Sequence, residues 1–253
     1  DAYSAETGIY AGYLMGDSQL TERWRLIGGA RLESTHIFLA PYDQFARREI
    51  DGDRAELESV DVLPSLSVVY ALSESLELRG AVSRTLARPQ LRELASFTFQ
   101  DYYGGALVAG DPNLRITKVV NADLRADYFP SPQEVVSISA FAKDFTDPLE
   151  PVLEPSSSLN FLRYRNARGA FLIGVEIEAR KSLEFIDEAL EDFSLMGNLT
   201  LTTSRIRLDQ TGADATGVGF LTNTERAMVN QAPYVVNIAL DYSGPSETNV
   251  RLL

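Results

Sequence analysis

A period of two, sustained over long stretches, constrains this chain more than any other feature. From Thr117 to Phe129, Val120, Ala122, Leu124, Ala126 and Tyr128 alternate with Asn121, Asp123, Arg125 and Asp127. That repeat sends successive side chains to opposite faces of a strand, giving one apolar and one polar face. Ser75–Arg84 and Phe171–Lys181 repeat the split, as do Trp24–Glu33, Leu63–Leu72, Val135–Lys143, Phe193–Ser204 and Tyr234–Tyr242. With weaker runs at Ile9–Met15 and Asn249–Leu253, the pattern predicts about ten strands and no amphipathic helix. Ser182–Glu191 reads at most as a single helical turn within a tight connection.

Several of these runs exceed the roughly 5–6 residues usual in soluble sheets and reach the roughly 9–11 that cross a bilayer at a steep tilt. The connections also alternate. Short ones fall at Gly16–Glu22, Ser73–Ser75, Pro130–Glu134, Ser182–Asp192 and Ser243–Thr248, and long ones at Leu39–Asp61, Leu86–Ile116, Phe145–Ala167 and Asp209–Gln231. In an antiparallel meander this collects tight turns at one end and long loops at the other, as in a transmembrane barrel. Tyr13, Trp24, Tyr70, Tyr128, Phe129, Phe193 and Tyr242 are expected near the short turns, where amphipathic rings form an interfacial girdle. The expected fold is therefore all-β: an antiparallel up-and-down transmembrane β-barrel whose apolar parity meets lipid. The charged parity, Glu77, Arg79, Asp123, Arg125, Asp127, Glu176, Glu178 and Arg180, is expected to form the lumen-facing wall.

Composition removes other classes. No apolar run approaches the roughly 18–20 residues of a membrane helix. Cysteine is absent and His36 is the single histidine, which excludes a disulfide scaffold, Cys chemistry and a His-rich metal cluster. With 36 acidic against 23 basic residues, the net charge of −13 argues against nucleic acid as a partner. The chain begins at Asp1 without a signal-peptide pattern and reads as a fragment of a longer product.

Specific stretches then resemble the carboxyl-terminal barrel of TonB-dependent outer-membrane receptors. SRTLARPQLRELASF (83–97) resembles the family's S-x-T, R-P, E-L strand end, and GDPNL (110–114) its G-N-P-x-L element. NADLRADY (121–128), SISAFAKDFTDP (137–148), NARGAFLIGVEIEARKSL (166–183) and DVLPSLSVVY (61–70) resemble four further family strands, in order. Ala142 stands where the family often has an aromatic. The resemblance implies about ten strands of a barrel of about 22, plugged by an amino-terminal domain. Residues 1–253 are accordingly read as one partial barrel domain, with the plug and the final strands absent. The implied partners are outer-membrane lipid, the barrel's own plug, the TonB energy-transducing protein through the missing amino-terminal region, and an unidentified small ligand. The implied location is the cell outer membrane.

Ligand contact is expected in the long Leu86–Ile116 loop, where Phe97, Phe99, Tyr102 and Tyr103 cluster beside Arg88 and Arg92. Stacked rings suit a siderophore, sugar or cobalamin-like molecule; packing within the loop, or an upper girdle, accounts for the same residues. The arginines equally suit an anionic ligand or a pair with Glu93. Asp51, Asp53 and Glu56 lack the full calcium-loop pattern, so no metal site is expected. Glu176 and Glu178 share a parity, but no nucleophile elbow, phosphate loop or dinucleotide fingerprint occurs. Neither catalysis nor a cofactor is expected. The leading expectation is part of a receptor for energy-coupled uptake of a scarce nutrient such as a siderophore–iron complex. A passive porin-like channel and a soluble β-rich binding module, with Leu76, Leu78 and Val82 under a second sheet, are the alternatives.

Overall fold

A computed structural model describes residues 2–43, 45, 48–49, 54–100, 107–154, 161–208, 225–244 and 249–252. The elements run β1 (Ala2–Gln19), β2 (Trp24–Asp43), β3 (Arg48–Glu49), β4 (Ala55–Ala71), β5 (Leu76–Ala87), α1 (Leu91–Leu94), β6 (Thr98–Gln100), β7 (Leu107–Ala109) and β8 (Thr117–Tyr128). They continue with β9 (Val135–Thr146), β10 (Leu149–Glu154), β11 (Phe161–Asn166), β12 (Gly169–Ser182), a 3-10 turn (Glu188–Leu190), β13 (Phe193–Arg207), β14 (Glu225–Arg226), β15 (Tyr234–Ser243) and β16 (Asn249–Leu252). Ten strands make the antiparallel meander β1-β2-β4-β5-β8-β9-β12-β13-β15-β16, with β3 on β2 and β14 on β13. The sheet is not closed into a barrel among the described residues: β1 and β16 remain its two edges. All ten expected strands are present.

Their polarity follows the register. Val120, Leu124, Val175 and Ile177 are 41–68% exposed on the apolar face. Leu78 and Val82 are exposed there too, and among the described residues no second sheet covers them, contrary to the soluble-module alternative. Trp24 pairs with Tyr70 (ring centroids 4.4 Å) and Phe193 with Tyr242 (4.9 Å) beside the short turns, on that same face. Tyr13 departs from the expected girdle: its register partner is Arg31, which puts it on the polar face and away from the turn.

The strands run farther than the alternation implied. Above the membrane level the two faces exchange character. Along β2 and β4 the polar parity turns apolar at Ile37, Leu39, Ala55 and Leu57, while the apolar parity turns polar at His36, Glu56 and Glu58. β9, β12 and β13 do the same: Phe145, Ala170 and Ile206 pack inward, and Asp144 and Arg205 lie outward. Trp24 to His36, like Phe193 to Arg205, spans about 41 Å of strand, or about 29 Å along the membrane normal at a tilt of about 45°. That matches a hydrocarbon layer of about 25–30 Å, so the exchange marks its outer boundary.

Two apolar clusters therefore sit on the polar face at the long-loop end. One gathers Ile37, Leu39, Ala55 and Leu57 with Leu94, Ala95, Leu114 and Ile116; the other gathers Val152, Ala167, Ala170, Ile206 and Leu208. They form because the loops fold back onto the wall. The expected loop Leu39–Asp61 is shorter than read, since strand continues to Asp43 and resumes at Ala55. The next two build a second sheet, β10-β11-β7-β6, in which β7 pairs parallel with β11 and joins one loop to the other.

Candidate lumenal and loop site

All eight charged residues singled out as wall share one face, because register places Glu77 opposite Asp127, Arg79 opposite Arg125, and both Ser137–Glu178 and Ser139–Glu176 in the same rows. Five of them form a belt. Arg79 Nε lies 2.5 Å from Glu77 Oε1 and 3.6 Å from Asp127 Oδ2. Arg125 Nε donates to Asp127 Oδ1 at 2.7 Å, and its other terminus donates to Ser137 Oγ at 2.9 Å and Glu178 Oε2 at 3.0 Å. Ser137 donates in turn to Asp127 at 2.5 Å. Asp127 and Ser137 are 3% and 1% exposed; both bonds fall on Asp127 Oδ1, and among the described residues its buried Oδ2 has no hydrogen bond and faces Arg79. Glu176 accepts a long 3.4 Å bond from Asn198, which accepts one from Asn237 at 2.7 Å. Asp123 lies opposite Phe141, exposed. Arg180 lies opposite Met196, its Nε buried and unpartnered among the described residues.

Higher on the same face a second tie joins three strands. Asn121 donates to Thr85 Oγ1 at 3.0 Å and accepts from Lys143 Nζ at 3.2 Å. Gly174, opposite Phe141, leaves room for that ring: a Cβ there would meet it at 2.3 Å. Pairing of β4 with β5 stops at Ser65–Ser83, next to Pro64, which has no N–H to donate. Beyond it Lys118 reaches Asp61 at 2.8 Å and Leu86 packs on the Ile37 cluster. Leu86 and Lys118 carry the apolar-face parity of their strands, so the tops of β5 and β8 lean over the polar face of β2 and β4.

The loop base is built from the remaining motif residues. Arg88 bonds Glu33 and donates to Thr35 Oγ1 at 2.9 Å, pinning the end of β5 to the wall. Glu93 accepts from the Gln90 N–H at 2.8 Å, and its carbonyl accepts from the Asp111 N–H at 2.7 Å. Gly110 fits only as glycine, since a Cβ would lie 2.2 Å from the Ala95 carbonyl oxygen. Asn166 accepts from the Arg115 N–H at 2.7 Å and donates to the Arg115 and Asp147 carbonyls at 3.0 and 2.8 Å, while the Arg115 guanidinium meets Asp147 at 2.6 Å. One side chain thus ties the two loops to each other.

Of the loop residues expected to meet ligand, Arg92 lies over the Phe99 ring at 4.3 Å, and Phe97 stacks on Tyr3 at 5.8 Å against the first cluster. Tyr102 and Tyr103, like Asp51 and Asp53, lie outside the described residues. Among the described residues no group of His, Cys, Asp or Glu is arranged to hold a metal ion. Sequence reading missed Glu33, Asp61, Ser137 and Asn166. Glu33, Asp61 and Ser137 stand on the polar parity of their strands, and Asp61, Ser137 and Asn166 each open one of the quoted motifs; those were the available signals. At the short-turn end, Lys181 lies 2.8 Å from Glu134 and holds that carboxyl below its usual range.

The architecture has a counterpart in sequence space. A family model described as TonB dependent receptor-like, beta-barrel, matches residues 1–251. The chain belongs to that family. An iron-regulated outer membrane virulence protein of Vibrio cholerae is 24% identical over 148 residues, covering 58% of this chain and 20% of that protein. The copper transporter OprC shares the fold at a TM-score of 0.68 and 15% identity, covering 94% of this chain and 33% of that one. The ferric citrate transporter FecA does so at 0.63 and 15%, covering 96% and 31%. This chain therefore spans about a fifth of the curated relative and about a third of those structures. The TonB-dependent receptor barrel places it in the outer membrane, in a family of receptors and transporters and not of enzymes.

Proposed function

We propose that this chain is a section of barrel wall in a receptor that takes up a scarce nutrient, such as a siderophore–iron complex, by energy-coupled transport. The observation that carries the reading is the double use of the polar face. Its lower half is a belt in which two arginines are shared among three carboxylates, and its upper half is covered by inward-folded loops. A belt whose arginines are already engaged is suited to facing an occluding plug. Glu77, Arg79, Asp123, Arg125, Asp127, Glu176, Glu178 and Arg180 would line the lumen around that plug. Loops joined by the β7–β11 pairing present one surface to the outside. On it Arg92, Phe99, Tyr102 and Tyr103 would contact ligand, while Arg88 and Phe97 hold the loop to the wall.

The metals named for relatives differ, iron in one case and copper in another, so the class of cargo favoured here is a metal chelate. The test is uptake of radiolabelled ferric chelates by cells with and without the gene, in backgrounds with and without the TonB energy-transducing protein. Saturable uptake lost in both deletions is expected. Permeation that scales linearly with concentration and ignores the transducer would replace this reading with the passive channel.

A further inference from the structure

The apolar face is not uniform. Across β5, β8 and β9 its floor holds Gly80, Ala122, Ala140 and Ala142 around the larger Val82 and Leu124, between Leu66 and Leu201. The result is an open trough of about 910 Å³ in the membrane band. A second hollow of about 600 Å³ continues from it at Ile173 and Thr203, towards the long-loop end, and carries Arg168, Arg205 and Arg207. Arg205 stands at the outer boundary of the hydrocarbon, about 29 Å above the Phe193–Tyr242 pair. The opposing charges are Asp144 in the hollow and Glu225, which lies 3.5 Å from Arg205 and 4.0 Å from Arg207. Both arginines are 72% exposed, so that pairing is weak and readily exchanged.

The charge contrast around the sheet matters as much as the hollow. On β1, β2 and β4 the outward residues above the boundary include Glu6, Glu56 and Glu58, which repel an anion. On β13 the outward positions at that level are instead Arg205 and Arg207, in the hollow that continues from the trough. We infer that the trough and its arginine rim together seat one phosphate-bearing lipid of the outer leaflet, acyl chains over the floor and phosphate against Arg205 and Arg207. A guanidinium presents paired N–H donors to phosphate oxygens, and the small residues of the floor give acyl chains contact area that a uniformly leucine-covered wall lacks.

The experiment is native mass spectrometry of the intact receptor, exchanged into nanodiscs of phosphatidylcholine containing either phosphatidylglycerol or lipid A as the probe. Retention of the phosphate-bearing anionic probe over phosphatidylcholine is expected to fall about tenfold in Arg205→Ala/Arg207→Ala. Ala140→Leu/Ala142→Leu, which fills the trough, is expected to lower retention of both lipids. Glu225→Gln, which leaves the wall untouched and frees the arginines, is expected to raise anionic retention. Equal retention of charged and neutral lipid by the unaltered receptor would overturn the inference, as would no change in Glu225→Gln together with none in the arginine variant.

Discussion

Arg125 on β8 and Glu178 on β12 bond at 3.0 Å although β9 runs between them. Neighbouring strands lie about 4.8 Å apart, so the contact spans about 10 Å of sheet. It is possible because the residue beneath is Ser137, small enough to be crossed and polar enough to take a bond from Arg125 as it passes. The guanidinium thus acts as a strap over three strands and keeps the buried Asp127 carboxylate neutralised.

Removing that strap should cost stability out of proportion to its exposure. Arg125→Ala leaves Asp127 buried with only Ser137 and the distant Arg79, and is expected to destabilise the folded barrel by about 1–3 kcal/mol. Arg125→Ala/Asp127→Asn should recover part of that loss, because the orphaned charge is gone. Urea unfolding of the receptor in lipid vesicles measures both, and equal stability of the two variants would refute the strap.

The two faces of β13 give a sharp test of orientation. Leu199 and Asn198 are adjacent but point oppositely, and Leu199 stands about 14 Å above the Phe193 ring, near mid-membrane. Leu199→Arg is expected to cost about 2–4 kcal/mol, whereas Asn198→Arg on the polar face should cost less than about 1 kcal/mol. Folding yield into vesicles, read by heat-modifiable gel mobility, separates them; the reverse order would mean the sheet is inside out.

Asn166 is the tie between the two inward loops, and its effect should be local. Asn166→Ala removes three hydrogen bonds to Arg115 and Asp147 and is expected to speed amide exchange at 107–109 and 161–163 by at least about tenfold. The belt residues around Arg125 should be unaffected. Exchange mass spectrometry that finds the change spread over the whole wall would contradict a local tether.

At the short-turn end the pH dependence has a definite sign. The folded Glu134 carboxyl titrates below its ordinary value near 4.5 because Lys181 bonds it. Its contribution is fully present above that value and is lost as the pH falls through the lower, folded value. The turn at 130–134 should therefore loosen only in acid, below about pH 4.5, and Lys181→Met should abolish that transition. NMR of the turn amides across pH 3–7 reads it directly.

Period-two alternation in segments such as Thr117–Tyr128 and Phe171–Lys181 was enough to set strand number, face polarity and the membrane band. Each of those properties depends on residues one or two apart. The short motifs were legible too, but only as a family likeness: nothing local in Asn166 or Arg88 says what it binds, since their partners come from distant strands. Where the strands end was decided in three dimensions. Above the membrane the inward loops supply the apolar cover for Ile37, Leu57 and Ile206 that lipid supplies below for Val120 and Val175, so the polarity of the faces reverses and the simple repeat breaks. The belt was half visible as charge of one parity. Its pairing across β9, and the lean of β5 and β8 past Pro64, required the sheet itself, because hydrogen-bond register alone brings those side chains within reach of one another.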